Sequence, residues 1–279
     1  MIERHEIPLF EYDATSPEVI PPAHEFGDCR FSKKCLFAFL GDTIHRYAET
    51  KHAEKRCEFR TVSATYPFYV FEENGEEICL AQAPVGAPPA SSMLDALIAS
   101  GCRNILALGS CGVLEKLPEN AFLVPTRALR DEGSSYHYLP ASRYIELDSE
   151  VLATIESVLK TEGLPFVPCT SWTTDAFYRE TKDMVASRRS EGCLCVEMEC
   201  AALAAFAALP SDSCSLPPTL SPASMTTMPE TSGGMRTKTP SYSGCVSCGR
   251  CKPHPCFADR ERSSMSETAA LNDDFAYAV

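Results

Sequence analysis

Residue types suited to binding an anion and a sugar follow four apolar segments of this 279-residue chain. Gly41, Gly86 and Gly109-Ser110 come after three such segments, and Glu197-Met198-Glu199 follows a fourth. Glycine lets backbone N–H groups approach an anion closely, and the Ser110 hydroxyl adds a donor. Two carboxylates can accept hydrogen bonds from a polyol such as ribose. The four turns therefore suggest a site for an anion and a polyol.

Each of these turns also has a purely structural interpretation. A glycine pair after a strand can make a tight turn without any ligand. Glu197 and Glu199 follow the apolar run Cys-Leu-Cys-Val, so burial is expected, and a buried carboxylate needs partners. Those partners could be the first N–H groups of a following helix instead of a sugar. The sequence leaves both interpretations open.

The elements that must position these turns alternate between strand and helix patterns from residue 35 to residue 208. Asn74-Gly75 between two apolar runs predicts a β-hairpin. The alternation predicts an α/β fold, a layered α/β/α domain around a central mixed, largely parallel sheet. In such sheets ligands collect at the carboxyl ends of strands. Strands are predicted at CLFAFL, YPFYVFEE, EEICLAQA, RNILALGS, AFLVPTRAL, FVPCTSW and CLCVEME, and helices at TIHRYAETKHAEKR, ASSMLDALIAS, DSEVLATIESVLKTEG, KDMVASRRSEG and CAALAAFAAL.

The composition divides the chain into three parts. Residues 1–34 are predicted to form an irregular N-terminal arm, and residues 35–208 form the α/β domain. Residues 209–279 are rich in Ser, Pro and Thr, and too few apolar side chains remain to offset the entropy of ordering them. This segment is predicted to be a disordered tail without a strand. The abrupt change suggests a reading-frame shift, and a divergent or disordered extension is the alternative.

The charge of the chain argues against two classes of partner. The formal net charge is −13, and nucleic acid and anionic membranes both reward clustered positive charge. The apolar runs are too short to span a bilayer, and the N-terminus lacks the apolar run of a secretory signal. We therefore expect no nucleic acid or membrane partner, a cytoplasmic location, and reduced thiols for the 15 cysteines.

Five segments between residues 35 and 208 share the order and spacing of known motifs. FLGDTIHRYAE is similar to a G-D-P-x-R phosphate turn, and APVGAPPASSMLDAL to a G-x-G-x-P-S turn with its helix. ILALGSCGVL is similar to an R-x-G-T-x-G segment, SWTTDAFYRET to a base-pocket segment, and VEMECAALAAFA to an E-M-E ribose segment. The body of the chain therefore resembles the nucleoside phosphorylase family, most closely its uridine phosphorylase-like branch.

The resemblance implies a role for each motif residue. The catalytic residues would be Glu199, which holds the sugar, and Arg130, which would bring positive charge to the site. Arg130 could instead be a surface residue paired with a neighbouring carboxylate. The binding residues would be Gly41, Gly86 and Ser110 around phosphate, Met198 and Glu199 around the ribose, and Phe177 near the base.

The resemblance also implies an activity. It is reversible phosphorolysis of a nucleoside, uridine-like, to free base and ribose 1-phosphate, so the chain would be a pentosyltransferase. Inorganic phosphate is the co-substrate, and no metal or organic cofactor is needed. Family members form homo-oligomers, from dimers to hexamers, and a neighbour's histidine can enter the ribose site. His5 and His24 are candidates. A purine nucleoside phosphorylase, a nucleosidase, and an inactive or merely nucleoside-binding paralogue are the alternatives.

The chain departs from the family motifs at three positions. Thr43 replaces a proline of the phosphate turn, and Arg46 lies one position late. Ala107 stands where the family has an arginine that binds phosphate oxygens through its planar fork. No family-like strand, acidic turn or helix is visible after residue 209. The chain as written is therefore predicted to have little or no phosphorolytic activity.

A cysteine cluster lies in the C-terminal segment. Cys245, Cys248, Cys251 and Cys256 surround His254 with a spacing that resembles zinc or iron–sulfur ligands. The surrounding sequence has no strands to hold a metal. The cluster is therefore interpreted as accidental, and no metal site is predicted there.

Overall fold

A ten-stranded mixed sheet with helices on both faces organises the chain. The computed structural model describes residues 2, 4–14, 16–118, 121–208 and 219–227. The Cys245–Cys256 cluster lies outside these residues. The strands are β1 Lys34–Ala38, β2 Glu54–Arg60, β3 Thr65–Glu73, β4 Glu76–Gln82, β5 Asn104–Val113, β6 Phe122–Asp131, β7 Tyr144–Glu146, β8 Phe166–Thr174, β9 Cys193–Glu197 and β10 Thr219–Thr227. The helices are α1 Thr43–Thr50, α2 Ala87–Ala99, α3 Ser135–Tyr138, α4 Ser149–Thr161, α5 Lys182–Ser190 and α6 Cys200–Ala207.

The strand order is β10-β6-β8-β9-β5-β1-β4-β3-β2, and β7 pairs with β6. Strand β10 pairs with β5 as well as with β6, so β5, β10, β6, β8 and β9 form a closed ring. Five of the pairings are parallel and five are antiparallel. The predicted α/β class with a mixed sheet is confirmed, and its parallel and antiparallel pairings are equal in number.

Side chains alternate across β1 and separate two helical layers. Cys35 and Phe37 belong to the buried cluster that holds α2 and α6. Leu36 and Ala38 belong to the cluster that holds α1. A strand sends successive side chains to opposite faces, so helices cover both sides of the sheet. This arrangement gives the three predicted layers.

Two sequence predictions about local structure are confirmed. Asn74 and Gly75 have positive φ values of 53° and 78° and join β3 to β4 in an antiparallel hairpin. Both central residues of a type I′ turn need this conformation. The Asp148 side chain accepts hydrogen bonds from the N–H groups of Glu150 and Val151 and so caps α4, as its acidic start predicted.

The single helix predicted over TIHRYAETKHAEKR is wrong in its second half. Helix α1 ends at Thr50, and His52 takes a positive φ of 51° that breaks the helical path. The following residues form β2, an edge strand paired with β3. The many charged side chains of β2 suit a helix surface equally well. The sequence pattern therefore predicted a helix where the structure has a strand. Charged side chains are also common on exposed sheet edges.

One strand extends beyond its predicted limit, and one strand lies where none was predicted. Strand β5 continues through Gly109, Ser110 and Cys111 to Val113, where a turn was expected. Gly109, Ser110 and Cys111 pair with β10, and Gly112 and Val113 pair with β9, so these two partners keep the end of β5 extended. The expectation that 209–279 contributes no strand is also corrected, because β10 at 219–227 lies in this segment and pairs with β5 and β6. None of the described helices is long and apolar enough to cross a membrane.

Gly101→Ala is expected to lower the free energy of unfolding by about 2–3 kcal/mol. Gly101 has φ +123°, and a Cβ added there would lie 2.6 Å from the Phe31 carbonyl oxygen. The substitution therefore combines backbone strain with overpacking. The matched control is Gly163→Ala, where φ is +66° and no atom lies within 4 Å of the added Cβ, so only strain of about 1 kcal/mol remains. Equal losses in urea unfolding would contradict the close approach.

Candidate functional site

The predicted phosphate turns follow neighbouring strands at one edge of the sheet. Ala38 of β1 is in register with Gln82 of β4 and with Leu108 of β5. Gly41 and Gly86 therefore lie just beyond adjacent strand ends, and Ser110 continues along β5 beside them. Ser110 and Gly41 are both exposed. Gly41 has φ +52°, a left-handed conformation that favours glycine.

Gly86 and Glu199 are in direct contact, although 113 residues separate them. The Gly86 N–H donates to Glu199 Oε1 at 2.6 Å. Gly86 is the N-cap of α2 and has φ +103°, so its amide can turn toward the carboxylate only because the residue is glycine. The structure thus joins the glycine turn and the E-M-E segment at the N-terminus of a 13-residue helix, where positive partial charge accumulates.

Glu197 accepts hydrogen bonds from four buried donors. Its Oε1 accepts hydrogen bonds from the hydroxyls of Ser171 at 2.8 Å and Thr173 at 2.5 Å. Its Oε2 accepts from the N–H groups of Glu199 at 2.7 Å and Cys200 at 2.6 Å, at the start of α6. The sequence left helix capping and polyol binding open for both carboxylates, and the structure gives the capping contacts to Glu197. Glu197 caps the helix, and Glu199 faces the glycine turn.

Both carboxylates resist ionisation. Burial, followed by the negative charge of Glu199, raises the pKa of Glu197 to about 8, and its hydrogen bonds oppose that shift. Burial also raises the pKa of Glu199 to about 7, while the amides of Gly86 and Met198 lower it and the charge of Asp175 raises it. Near neutral pH both groups thus lie close to their titration points. A carboxylate in this state responds strongly to any ligand that donates hydrogen bonds to it.

The predicted base-pocket segment begins beside this carboxylate pair. Asp175 follows β8, and its Oδ2 accepts a hydrogen bond from the Gly133 N–H at 2.8 Å. The next residues form a 3-10 turn that exposes 54% of Phe177 and 94% of Tyr178, with ring centroids 5.0 Å apart. Exposed aromatic rings are available for stacking on a flat ligand.

Arg130 is buried, so the alternative of a surface residue is wrong, and its guanidinium is hydrogen-bonded to neighbouring groups. It is 5% exposed, and its guanidinium donates to Ser135 Oγ and Ser142 Oγ, both at 2.8 Å. It also donates to the carbonyl oxygens of Pro140 and Leu139 and lies 4.2 Å from the Tyr136 ring centroid. These contacts hold the 135–142 segment, and none of these hydrogen bonds of Arg130 reaches Gly86 or Glu199.

Met198 and the two candidate histidines are placed as follows. Met198 is half-buried between the two carboxylates. Met198 comes directly after β9 and two residues after Val196, which pairs with Gly112 of β5. The His5 ring packs on Phe10, which packs on Tyr136, each with a 5.2 Å centroid distance. His24 ends a 3-10 turn that contacts α2.

The sequence singled out neither Ser171 nor Thr173, which hold the Glu197 carboxylate. Both side chains are fully buried at 0% exposure and lie on the same face of β8. The signal was present as two hydroxyl residues at i and i+2 within a predicted buried strand. Hydroxyls at such positions need an internal partner, and a carboxylate from the neighbouring strand is one. Strand β9 supplies it through the parallel pairing of Thr173 with Glu197.

Raising the pH from about 5 to about 8 is expected to lower the free energy of unfolding. The unfolded chain releases the protons of Glu197 and Glu199 near pH 4.5, whereas the folded protein holds them until about pH 8 and 7. In this window the folded state binds more protons, so a rise in pH favours unfolding. The slope can reach about 1.4 kcal/mol per pH unit for each group. Urea unfolding of wild type and Glu197→Gln at several pH values checks this, and parallel curves would contradict it.

The sequence of this chain is similar to a known protein family and to curated proteins. The model of the phosphorylase superfamily matches residues 33–209. A guanosine phosphorylase of Halorubrum lacusprofundi is 28% identical over 155 residues, covering 54% of this chain and 60% of that protein. A uridine phosphorylase of Haemophilus influenzae is 26% identical over 123 residues, covering 43% and 48% respectively. The chain therefore spans about half the length of the curated relatives it matches.

Solved structures share the fold. A uridine phosphorylase of Vibrio fischeri ES114 superposes with a TM-score of 0.60 at 21% identity, over 71% of this chain and 80% of that chain. An AMP nucleosidase of Bacteroides thetaiotaomicron superposes with a TM-score of 0.57 at 23% identity, over 71% and 79%.

Proposed function

Because this chain belongs to the phosphorylase superfamily, we propose that it binds a uridine-like nucleoside and transfers its pentosyl group to inorganic phosphate. The observation that carries the proposal is the 2.6 Å contact between the Gly86 N–H and the Glu199 carboxylate. It holds the proposed polyol acceptor at the N-terminus of α2, where positive partial charge accumulates. Phosphorolysis needs this juxtaposition, because phosphate must reach the anomeric carbon of the sugar that the carboxylate holds.

Glu199 is proposed to hold the sugar. One of its oxygens is engaged by Gly86, so its remaining acceptor capacity is available to the 2′- and 3′-hydroxyls. Its negative charge also tolerates the positive charge that develops on the ring as the glycosidic bond weakens. Met198 is proposed to pack against the ribose, and the exposed ring of Phe177 to stack on the base.

Phosphate is proposed to bind at the strand ends, with Gly41, Gly86 and Ser110 as its neighbours. A phosphate oxygen forms the new bond at C1′ as the C1′–N bond breaks, and the base leaves with the bonding electrons and takes up a proton. The products are the free base and ribose 1-phosphate. Arg130 is proposed to act through the 135–142 segment that it holds, as a positioning residue.

A nucleosidase is the second candidate function. It is favoured because few cationic side chains are available at the strand ends to bind phosphate. Ala107 offers no guanidinium, and that of Arg130 is engaged elsewhere. Arg46 of α1 donates to Thr43 Oγ1 at 3.0 Å and is the arginine left in the phosphate turn. If phosphate binds weakly, water can take its place as the nucleophile, and the products become the free base and ribose.

Base release from uridine with and without inorganic phosphate tests both candidates. We expect phosphate-dependent uracil release well below the ordinary turnover of about 10 per second. Guanosine and inosine are assayed in parallel, and ribose 1-phosphate is separated from ribose by chromatography. Equal release without phosphate would establish the nucleosidase instead. Failure to bind or cleave any of these nucleosides would overturn the proposed function.

A homo-oligomer, from dimer to hexamer, is proposed as the working form. It rests on the resemblance to the family and on the position of His5, which lies on the N-terminal arm beside the 133–136 segment. Sedimentation velocity at micromolar concentration tests it. A strict monomer that still cleaves nucleoside would show that no neighbour completes the site.

A further inference from the structure

Three buried thiols meet in the core between β1, β4 and the start of β5. The Sγ atoms of Cys35, Cys79 and Cys102 all lie within 4.8 Å of one another. The three residues are 2%, 0% and 0% exposed. We propose that this tri-thiol cluster binds a trivalent metalloid of the arsenite class as a neutral tris-thiolate complex.

Three separate elements fix the cluster. Cys35 and Cys79 are register partners on the parallel strands β1 and β4. Cys102 lies between α2 and β5, where its N–H donates to the Leu97 carbonyl at 3.1 Å. The Arg103 guanidinium donates to the Cys102 carbonyl at 2.7 Å. Because backbone contacts hold all three residues, the thiols remain together without a ligand.

The spacing suits a single central ion. Sulfur ligands at about 2.3 Å from a metal lie about 4 Å from one another. The observed limit of 4.8 Å therefore requires movements below 1 Å, which rotation about χ1 can supply.

The thiols already interact as a unit. Hydrogen bonds from Cys35 and Cys79 lower the pKa of Cys102 to about 5, against the effect of burial. The same interactions and burial raise the pKa of Cys35 and that of Cys79 well above the usual value. These shifts show that the three sulfurs form one interacting group.

Charge decides which ion fits. The cluster lies among apolar side chains that include Phe37, Phe68 and Leu97, and a net charge is costly to bury there. Three thiolates leave a net charge of −1 with a divalent ion and −2 with a monovalent ion, but none with a trivalent one. Zinc also takes a fourth ligand, and the described residues place no further His, Cys, Asp or Glu in this group.

Binding balances without any redox step. Arsenous acid, As(OH)3, exchanges its three As–O bonds for three As–S bonds. Cys35 and Cys79 each release a thiol proton, the solvent supplies the third because the pKa of Cys102 is lowered to about 5, and the three hydroxides leave as water. Arsenic keeps its oxidation state. The tris-thiolate complex is neutral, so binding leaves no net charge in the apolar core.

A second thiol pair offers a route inward. Cys29 and Cys57 are half-buried and pack against the same core as the tri-thiol cluster. Their thiols interact with each other, and this contact and burial raise the pKa of Cys57. Arsenite captured by this pair can pass to the cluster by thiol exchange when the core opens. Loading is therefore expected to be slow.

The test is arsenite binding to the reduced full-length chain. To remove the C-terminal cysteines as a competing site, the background carries serine at positions 245, 248, 251 and 256. We expect one arsenic per chain by mass spectrometry, three sulfur neighbours by X-ray absorption, and three fewer titratable thiols. Each of Cys35→Ala, Cys79→Ala and Cys102→Ala is expected to weaken binding at least tenfold. Cys57→Ala is expected to slow loading without changing the stoichiometry.

Cys169→Ala is the matched control, because Cys169 is buried in a different thiol group, 3.9 Å from Cys195. It should leave binding unchanged. Two sulfur neighbours, or binding lost in Cys169→Ala but retained in Cys79→Ala, would overturn the proposal. So would tighter binding of zinc or monovalent copper than of arsenite by the same three cysteines. If an alanine variant does not fold, the sulfur number and thiol count of the parent chain still decide the outcome.

Discussion

Glu199→Gln is expected to lower kcat/KM for a nucleoside by about 10²- to 10³-fold, with folding retained. The amide can still accept the Gly86 N–H, which now donates to Oε1 at 2.6 Å. It cannot offer a charged acceptor to two ribose hydroxyls, and a hydrogen bond to a charged group contributes about 1.5–3 kcal/mol. If turnover is too slow to measure, the dissociation constant for uridine is the readout.

A 2′-deoxynucleoside makes this experiment specific. When the 2′-hydroxyl is absent, Glu199→Gln should lose about tenfold less, because one of the two hydrogen bonds is already missing. Wild-type binding should also strengthen from pH 6 to pH 8 as Glu199 ionises, since its pKa is raised to about 7. Glu146→Gln, an exposed position on β7, serves as the control and should change neither quantity. The same loss with ribo- and deoxynucleosides would refute the assignment of Glu199 to the ribose.

Glu197→Ala is expected to lower the free energy of unfolding by about 4 kcal/mol. The substitution leaves four buried donors without their acceptor, namely two hydroxyls on β8 and two N–H groups at the start of α6. Each buried donor left unpaired is destabilising by about 1–3 kcal/mol, and removal of the carboxyl group, whose own burial is unfavourable, offsets part of the sum. The expected loss is a large fraction of a total stability of about 5–15 kcal/mol.

Glu197→Gln distinguishes the capping role from the charge. Its carbonyl can still accept the two backbone N–H groups, and its amide can donate to the hydroxyls of Ser171 and Thr173. We expect a loss of about 1 kcal/mol near pH 7, where the native carboxyl is mostly protonated at a pKa of about 8. Urea unfolding measures both variants. Similar losses in the two would mean that the hydrogen bonds do not carry the effect.

The sequence predicted the layers of this fold because hydrophobic periodicity depends on few long-range details. The alternation in β1 and the Asn74-Gly75 turn are local patterns, and the structure confirms both consequences. The secondary structure of residues 54–60, in contrast, depends on pairing with another strand. Their charged side chains suit either a helix surface or an edge strand, and pairing with β3 decides it.

The candidate site also has features that the sequence predicts and features that depend on long-range contacts. The glycine turn and the E-M-E segment were visible as motifs, but their contact spans 113 residues and no local pattern reports it. The different tasks of Glu197 and Glu199 could not be separated from sequence, because both follow one buried strand. The network of Arg130 was hidden for another reason. A buried guanidinium satisfied by carbonyl oxygens has no fixed spacing to its partners.

The closed ring of strands has a consequence for synthesis. Strand β5 ends at Val113 and β6 at Asp131, but β10, which joins them, begins only at Thr219. At a translation rate of about 5–20 residues per second, the ring stays open on the ribosome for roughly 5–20 s. During that interval the facing borders of β5 and β6 present unpaired N–H and C=O groups that another chain can join. Between the synthesis of β6 and that of β10, the nascent protein should therefore depend on chaperones, or on a low concentration of other nascent chains, to avoid aggregation.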